Sequence, residues 1–254
     1  MLGRAALIPA LALWFGPDLL LAYHVFMPQS QGLVRAPRRF ATHRREVWLT
    51  LDDGPDPEDT PKILELLAAH EARATFFVIG QHARTHPDLV RAIVARGHEV
   101  GHHSHSHPVR SFWCASPTRL RRELDDGLAA LQPLGVRPRR FRVQAGVKNL
   151  WLASALASRG LAAVGWTRRG LEVWNHDPAH VADRVLQGLA PGNILLMHEG
   201  PSVPAAVRVR AVGLVLARLR REDYRCVIPT PGQLLGRAAP EGPALERNAE
   251  ALTR

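Results

Sequence analysis

Apolar and polar positions alternate in blocks from Glu46 onward. Val47–Leu51 is a short, mostly apolar run that predicts a buried strand, and Asp52-Asp53-Gly54-Pro55 follows it as a turn. A helix is expected over Pro61–His70, with Thr60 as its cap and Pro61 at its first position. The pattern then predicts a strand at Ala74–Ile79, a helix at Pro87–Arg96 and a short strand at Glu99–Val100. Ser116-Pro117 opens an amphipathic helix running to about Leu131. Later strands are read at Ala162–Trp166, Asn193–His198 and Arg225–Ile228, with helices at Leu150–Ser158, Pro178–Leu189 and Pro204–Arg221. Strands alternating with helices imply parallel βαβ units, an α/β fold. In a parallel barrel the carboxyl ends of the strands share one face, where catalytic groups gather. Asp52-Asp53 follows the first strand, a histidine cluster follows the third, and His198 ends a late one, so all are expected on that face.

The first 45 residues read differently. Apolar runs Ala5–Phe15 and Leu19–Phe26 flank the breaker Gly16-Pro17-Asp18, and Asp18 is the one formal charge between Arg4 and Arg35. Together they approach the roughly 20 apolar residues that span a bilayer. The expectation is a membrane anchor, either spanning or lying at the interface. No small-x-small site follows the apolar core before Met27-Pro28, against a cleaved leader. The chain thus divides into an anchor and linker (1–45), a catalytic domain (46–236) and a flexible tail (237–254). The expected location is the bacterial inner membrane. Arg35, Arg38, Arg39, Arg44 and Arg45 would place the domain on the cytoplasmic side, but arginine is abundant throughout, so the side is left open.

Composition changes this picture little. A chain of 254 residues suits one sizeable domain. The net charge of +10 is almost wholly arginine, Lys62 and Lys148 being the only lysines. Such a surface suits anionic lipid or acidic glycan. No arginine stripe alternates with aromatics, so nucleic acid is not an expected partner. Cys114 and Cys226 stand far apart outside any CxxC, and neither a zinc finger nor a disulfide is supported.

Five of the thirteen histidines lie between His98 and His107. Histidines at i and i+4 on a helical turn share one side, so either His103/His107 or His98/His102 could bind one metal ion. Adjacent acids after a buried strand repel unless a cation or hydrogen bonds compensate them. Asp52-Asp53 is such a pair.

The motif order resembles the polysaccharide deacetylases with a NodB-homology domain. Thr50-Leu51-Asp52-Asp53-Gly54-Pro55 is similar to that family's T-F-D-D-G-P, and His103-Ser104-His105-Ser106-His107 to its H-[ST]-x-x-H. Thr75–Gly80 also matches, and the likeness runs from about Glu46 to Leu235. It implies a distorted (β/α) barrel of about seven repeats, fewer than the usual eight. It implies that Asp53, His103 and His107 hold a divalent ion, Zn²⁺ or else Co²⁺, Ni²⁺ or Mn²⁺, and that Asp52 is the general base. Leu196-Met197-His198 matches the family's L-x-H, making His198 the proton donor and Leu196 a wall for an acetyl methyl. Arg142, in Phe141–Gly146, matches the arginine that pairs with the catalytic Asp, although the motif's prolines and tyrosine are absent.

The fourth motif, W-x-x-D-x-x-D-W, departs most. Trp166 begins it, Arg169 replaces the Asp that charges the catalytic His, and Glu172 replaces the second Asp. A guanidinium close to His198 would lower its pKa; Arg169 instead suits an anionic group of the substrate, such as a phosphate on a lipid-linked sugar. The implied activity is metal-dependent removal of an acetyl or formyl group from an amino sugar in a polysaccharide, envelope glycan or glycolipid. Two other readings stand beside it. The same ligands serve non-haem iron oxygenases, whose antiparallel architecture conflicts with the βα alternation. A glycan-binding protein without catalysis would account for the altered motifs but not for both a metal site and a base.

Overall fold

The computed structural model describes residues 16–201 and 205–237. Its centre is a parallel sheet of eight strands in the order β5-β4-β3-β2-β1-β7-β6, with β8 paired to the start of β1. The strands are β1 (Glu46–Asp52), β2 (Ala74–Val78), β3 (Glu99–His102), β4 (Arg140–Phe141), β5 (Ala162–Ala163), β6 (Arg168–Arg169), β7 (Ile194–His198) and β8 (Arg225–Cys226). Around them lie α1 (16–26), α2 (Asp59–Ala69), α3 (Gly80–Thr85), α4 (Pro87–Ala95), α5 (Pro117–Leu131), α6 (Leu152–Ala157), α7 (Pro178–Leu186), α8 (Ala205–Arg221) and α9 (Pro231–Leu234).

Every residue of β1 is buried because both of its faces are covered. Val47, Leu49 and Leu51 pack outward with Ile63 and Leu67 of α2 and Val212 and Val215 of α8. Trp48 points inward with Phe77, Val164 and Ile194. Period-two alternation then aims Thr50 and Asp52 inward as well. Burial of each large apolar side chain contributes roughly 1.5–3 kcal/mol, so this double-sided packing fixes the register. Polar groups inside the barrel are paired. Trp48 Nε1 donates to Thr75 Oγ1 at 2.8 Å, Thr75 donates to Glu99 at 2.7 Å, and Arg140 meets Glu99 at 2.8 Å while lying 4.4 Å over the Trp48 ring.

The edge strands β5 and β6 are joined by 164–167, and the chain ahead of β1 runs against that join. Gly165 N–H donates to the Pro37 carbonyl at 2.9 Å, Arg38 Nε to the Trp166 carbonyl at 3.2 Å, and Phe40 N–H to the Gly192 carbonyl at 3.0 Å. This explains why the strand expected over 162–166 pairs only at 162–163: the Val164 amide still donates to Phe141, but that of Gly165 turns to Pro37 and leaves the sheet. It also shows residues 34–41, read as linker, packed into the domain, with Val34, Ala36 and Phe40 buried. The run Ala5–Phe15 and all but the first residue of the tail lie outside the described residues. The second apolar run is α1. Its C-terminal end is clamped by the buried Lys148, whose amide donates to Val25 and whose Nζ donates to the Met27, Pro28 and Gly146 carbonyls.

Two expectations need correction. Thr60 is not the cap of α2, which starts at Asp59 with Glu58 at the cap position; the Asp56 carboxylate just ahead accepts from the amides of Glu58 and Asp59 at 2.9 Å. The Thr60 hydroxyl instead accepts from the Asp56 amide and donates to Glu199. Second, α3, β4, β6 and α9 were not predicted, because elements of two to six residues carry too little periodicity to register. Cys114 and Cys226 are both free, the first exposed and the second buried.

Asp59 and Arg208 form a buried ion pair that joins α2 to α8, with Asp59 also accepting from the Gly200 amide at 3.0 Å. Arg208→Leu leaves that carboxylate uncompensated and is expected to cost about 3–5 kcal/mol in urea unfolding. Asp59→Asn in the same chain is expected to restore part of the loss.

Candidate active site

The inward alternation delivers four side chains to one end of the barrel. Asp52 is the last residue of β1 and pairs in register with Phe77 of β2 and His198 of β7. His103 follows β3, and Arg142 follows β4. Asp53 takes the left-handed conformation (φ 75°), which turns it off the strand path, and its carbonyl faces His82 Nδ1 at 2.9 Å. The adjacent carboxylates therefore diverge.

Asp53 Oδ1 lies 3.3 Å from His103 Nε2 and 3.3 Å from His107 Nε2. The three ligand atoms all lie within 4.8 Å of one another. Two donors each about 2.0–2.1 Å from a tetrahedral ion stand roughly 3.3 Å apart, so these residues fit a small divalent ion. His103 Nδ1 is 2.8 Å from the Arg142 carbonyl, which fixes its proton there and leaves Nε2 as the ligand. The expected helical turn is absent. Ser104 (φ 64°) and His107 (φ 53°) are left-handed, and loop curvature brings the two imidazoles together, with ring centroids 4.8 Å apart. The other pairing, His98/His102, is excluded: His102 Nε2 meets the Leu124 carbonyl, its Nδ1 accepts from the Ser104 amide, and His98 packs on Phe76.

Charges compensate one another here. Burial pushes the Asp53 carboxyl up, but His103, His198 and His107 together hold it well below the usual carboxylate range. Burial also opposes protonation of His103, and Asp52 and Asp53 outweigh it, so its pKa rises. His107 falls to about 4 through burial and the repulsion of His103, leaving it neutral as a ligand must be. Arg142 is fully buried, 3.4 Å from Asp52 Oδ1 and 3.2 Å from Thr50 Oγ1, with its guanidinium 4.5 Å from the Phe77 ring centroid.

His198 Nδ1 lies 3.2 Å from the buried Glu172 carboxylate. Burial lowers the imidazole's pKa, yet Glu172, with Asp53 and Asp52, raises it to about 9. The Arg169 guanidinium stands 5.9 Å from the Trp166 ring centroid, and the shift of His198 is upward through the carboxylates, Glu172 foremost. Glu172 occupies the charging role that sequence comparison attached to position 169. The signal was an acid three residues on, one methylene longer than aspartate.

A cleft of about 360 Å³ opens over this cluster. Asp52, Asp53, His103, His107, Trp166, Arg169, Leu196 and His198 line it, while Arg142 lies behind Asp52. Sequence reasoning gave no role to Val109, Val143, Ala145, Leu171 or Val173, and Trp174, the fourth motif's last tryptophan displaced by one place, joins them in the lining.

Residues 40–164 match the sequence profile of the family named polysaccharide deacetylase. The chain is 37% identical to a chitooligosaccharide deacetylase of Sinorhizobium fredii, covering 68% of this chain and 80% of the relative. It belongs to the polysaccharide deacetylase family. A peptidoglycan-N-acetylglucosamine deacetylase of Bacillus cereus is 30% identical, over 71% of this chain and 84% of its own. A family 4 carbohydrate esterase from Streptomyces lividans, solved with acetate, superposes with a TM-score of 0.67 at 30% identity, covering 75% of this chain and 95% of that one. The chain is thus a deacetylase-type hydrolase on a distorted parallel barrel, an architecture distinct from that of the iron oxygenases.

Purified chain loaded with Zn²⁺ is expected to hold one ion by elemental analysis. Asp53→Ala, His103→Ala and His107→Ala are each expected to abolish that stoichiometry, whereas His105→Ala retains it.

Proposed function

We propose that the chain removes an N-acetyl or N-formyl group from an amino sugar in a polysaccharide or envelope glycan. The observation that carries this is one cleft holding a three-ligand metal set, a separate carboxylate and a charged imidazole. Asp53, His103 and His107 hold the ion, which we assign as Zn²⁺ from two imidazoles and one carboxylate. Bound there, the ion supplies Lewis acidity toward the amide carbonyl and toward water. Asp52 is the general base, and Arg142 Nη1 at 3.4 Å orients and charges it. His198 donates the proton to the departing amine, and Glu172 keeps that proton in place at neutral pH. Leu196 and Trp166 wall the acyl slot.

A second substrate reading, a sugar carried on a lipid phosphate, is favoured by Arg169 in the cleft wall, a cation where the family's motif has an acid. It agrees with our reading of the apolar N-terminal segment as a membrane anchor and of the chain as a protein of the bacterial inner membrane.

Acetate release from N-acetylated chitooligosaccharides and from lipid-linked amino sugars tests both. Chelation is expected to abolish release, and Asp52→Asn to lower kcat by about 10²–10⁴-fold with metal retained. Release unaffected by either would overturn the mechanism. The pH profile tests His198. An acid with a raised pKa stays protonated, hence active, until pH climbs through that value. Glu172→Gln removes the largest raising influence and is expected to move the alkaline limb of kcat/KM to lower pH, with the acid limb unmoved.

A further inference from the structure

Among the described residues fourteen large apolar side chains are exposed, and all but Val94 and Leu235 fall within 19–27, 109–113, 150–151 and 173–174. The first three segments form a connected framework, and Val173 and Trp174 line the cleft itself. The Phe26 and Trp113 rings stand 5.3 Å apart. Asn149 Nδ2 donates to the carbonyls of Phe112, Trp113 and Ala115, tying 112–115 to Leu150 and Trp151. The framework reaches the cleft at two points. Val109, at the other end of the Trp113 loop, lines the cleft. A Cβ on Gly146 would lie 2.5 Å from Pro28, just past α1, and 2.8 Å from Trp166 in the cleft wall.

Two further observations identify what covers this face. Residues 17–21 of α1 are exposed in succession, and beyond Asp18 the consecutive Leu19, Leu20 and Leu21 turn apolar surface to several sides of the helix. A helix apolar all round belongs in a protein core or a membrane. No helix of the described residues is long and apolar enough to cross a bilayer, but residues 5–15, immediately preceding α1, contain no charged side chain. The second observation is charge. The segments 19–45, 103–122 and 140–171 contain no aspartate or glutamate, while carrying most of the flanking arginines, including Arg110 and Arg119 beside Trp113. Acids do approach this face, Asp18 at the start of α1 and Asp125 paired with Arg159, but half-exposed tryptophans among arginine-bearing segments that lack acids of their own match the headgroup layer of an anionic bilayer.

We propose that α1 and the Trp113 and Trp151 loops form a bilayer-docking surface that seats the mouth of the cleft at the headgroup level of an anionic membrane. The catalytic domain thus binds lipid through its own loops, beyond any anchoring by the segment before α1. Only glycans within reach of the membrane surface meet the cleft in the docked state.

The test is vesicle co-sedimentation of the full chain, with phosphatidylglycerol–phosphatidylcholine vesicles against phosphatidylcholine alone, at low and high salt. Trp113→Ser/Trp151→Ser is expected to weaken binding to the anionic vesicles by about tenfold or more. Wild-type binding is expected to fall with salt. Acetate release from a short soluble chitooligosaccharide, which reports folding, is expected to stay unchanged because neither tryptophan lines the cleft. Unchanged vesicle affinity in the double variant would overturn the proposal and leave residues before α1 as the membrane contact. Conversion of a dimer to a monomer by the same variant would overturn it in favour of a second copy.

Discussion

The structure depends on the register of β1 between β2 and β7. Asp52 sits opposite Phe77 on one side and His198 on the other, in a strand whose outward residues are locked into the helical layer. A slip of one residue would turn Asp52 into the apolar core and Leu51 into the cleft. The same alternation aims Leu196 and His198 inward on β7 and sets His103 and Arg142 beyond the ends of β3 and β4. The chemistry is therefore a consequence of apolar packing. Val47, Leu49 and Leu51 never touch the cleft, yet they decide which carboxylate enters it.

Gathering so many ionisable groups in a half-buried space is costly unless each is matched. The matching is layered. Arg142, wholly desolvated, answers Asp52 from behind through Nη1 and donates Nη2 to Thr50 of the same strand, its Nε being left without a partner. Asp53 faces two imidazoles. His198 turns its other nitrogen to Glu172. This explains how the family's motif tolerates Arg169: the imidazole needs a buried carboxylate at Nδ1, and the longer glutamate three residues on supplies it from a different backbone position. Position 169 is then free to present a cation to the cleft. The change reads as relocation of the charging group rather than loss of catalysis, which weighs against a pure binding protein.

Most of the barrel was legible because its central strands are short apolar runs bounded by turns and followed by amphipathic helices. Asp52, Asp53, His103 and His198 could be placed on one face from strand ends alone, and all four line the cleft. The choice between His103/His107 and His98/His102 could not be made by spacing. It turns on the left-handed residues Ser104 and His107, which bend a loop where a helical turn was expected, and on Leu124 capturing His102. Glu172 was visible as an acid, but its reach to His198 depends on the path of 168–172, where two residues pair with β7 and no periodicity marks them. The packing of 34–41 across the edge strands was also invisible, because its backbone hydrogen bonds and its scattered apolar residues Val34, Ala36 and Phe40 follow no strand or helix period.

The backbone itself shows where packing gives way to function. Seven non-glycine residues among those described have positive φ, and five of them, Asp53, Ser104, His107, Ala145 and Leu171, belong to the cleft or the loop that carries its ligands. Each costs of order 1–3 kcal/mol and persists only where its surroundings over-determine it. Here those surroundings are specific: His82 on the Asp53 carbonyl, the Ser104 hydroxyl on the His107 amide, and Glu123 of α5 on the amides of His105 and Ser106. A loop relaxed to ordinary φ would place His107 off the shared ligand position. The rigid helical layer thus supports strained loops that hold two imidazoles and a carboxylate at one spacing, and that spacing turns a common barrel into a candidate hydrolase.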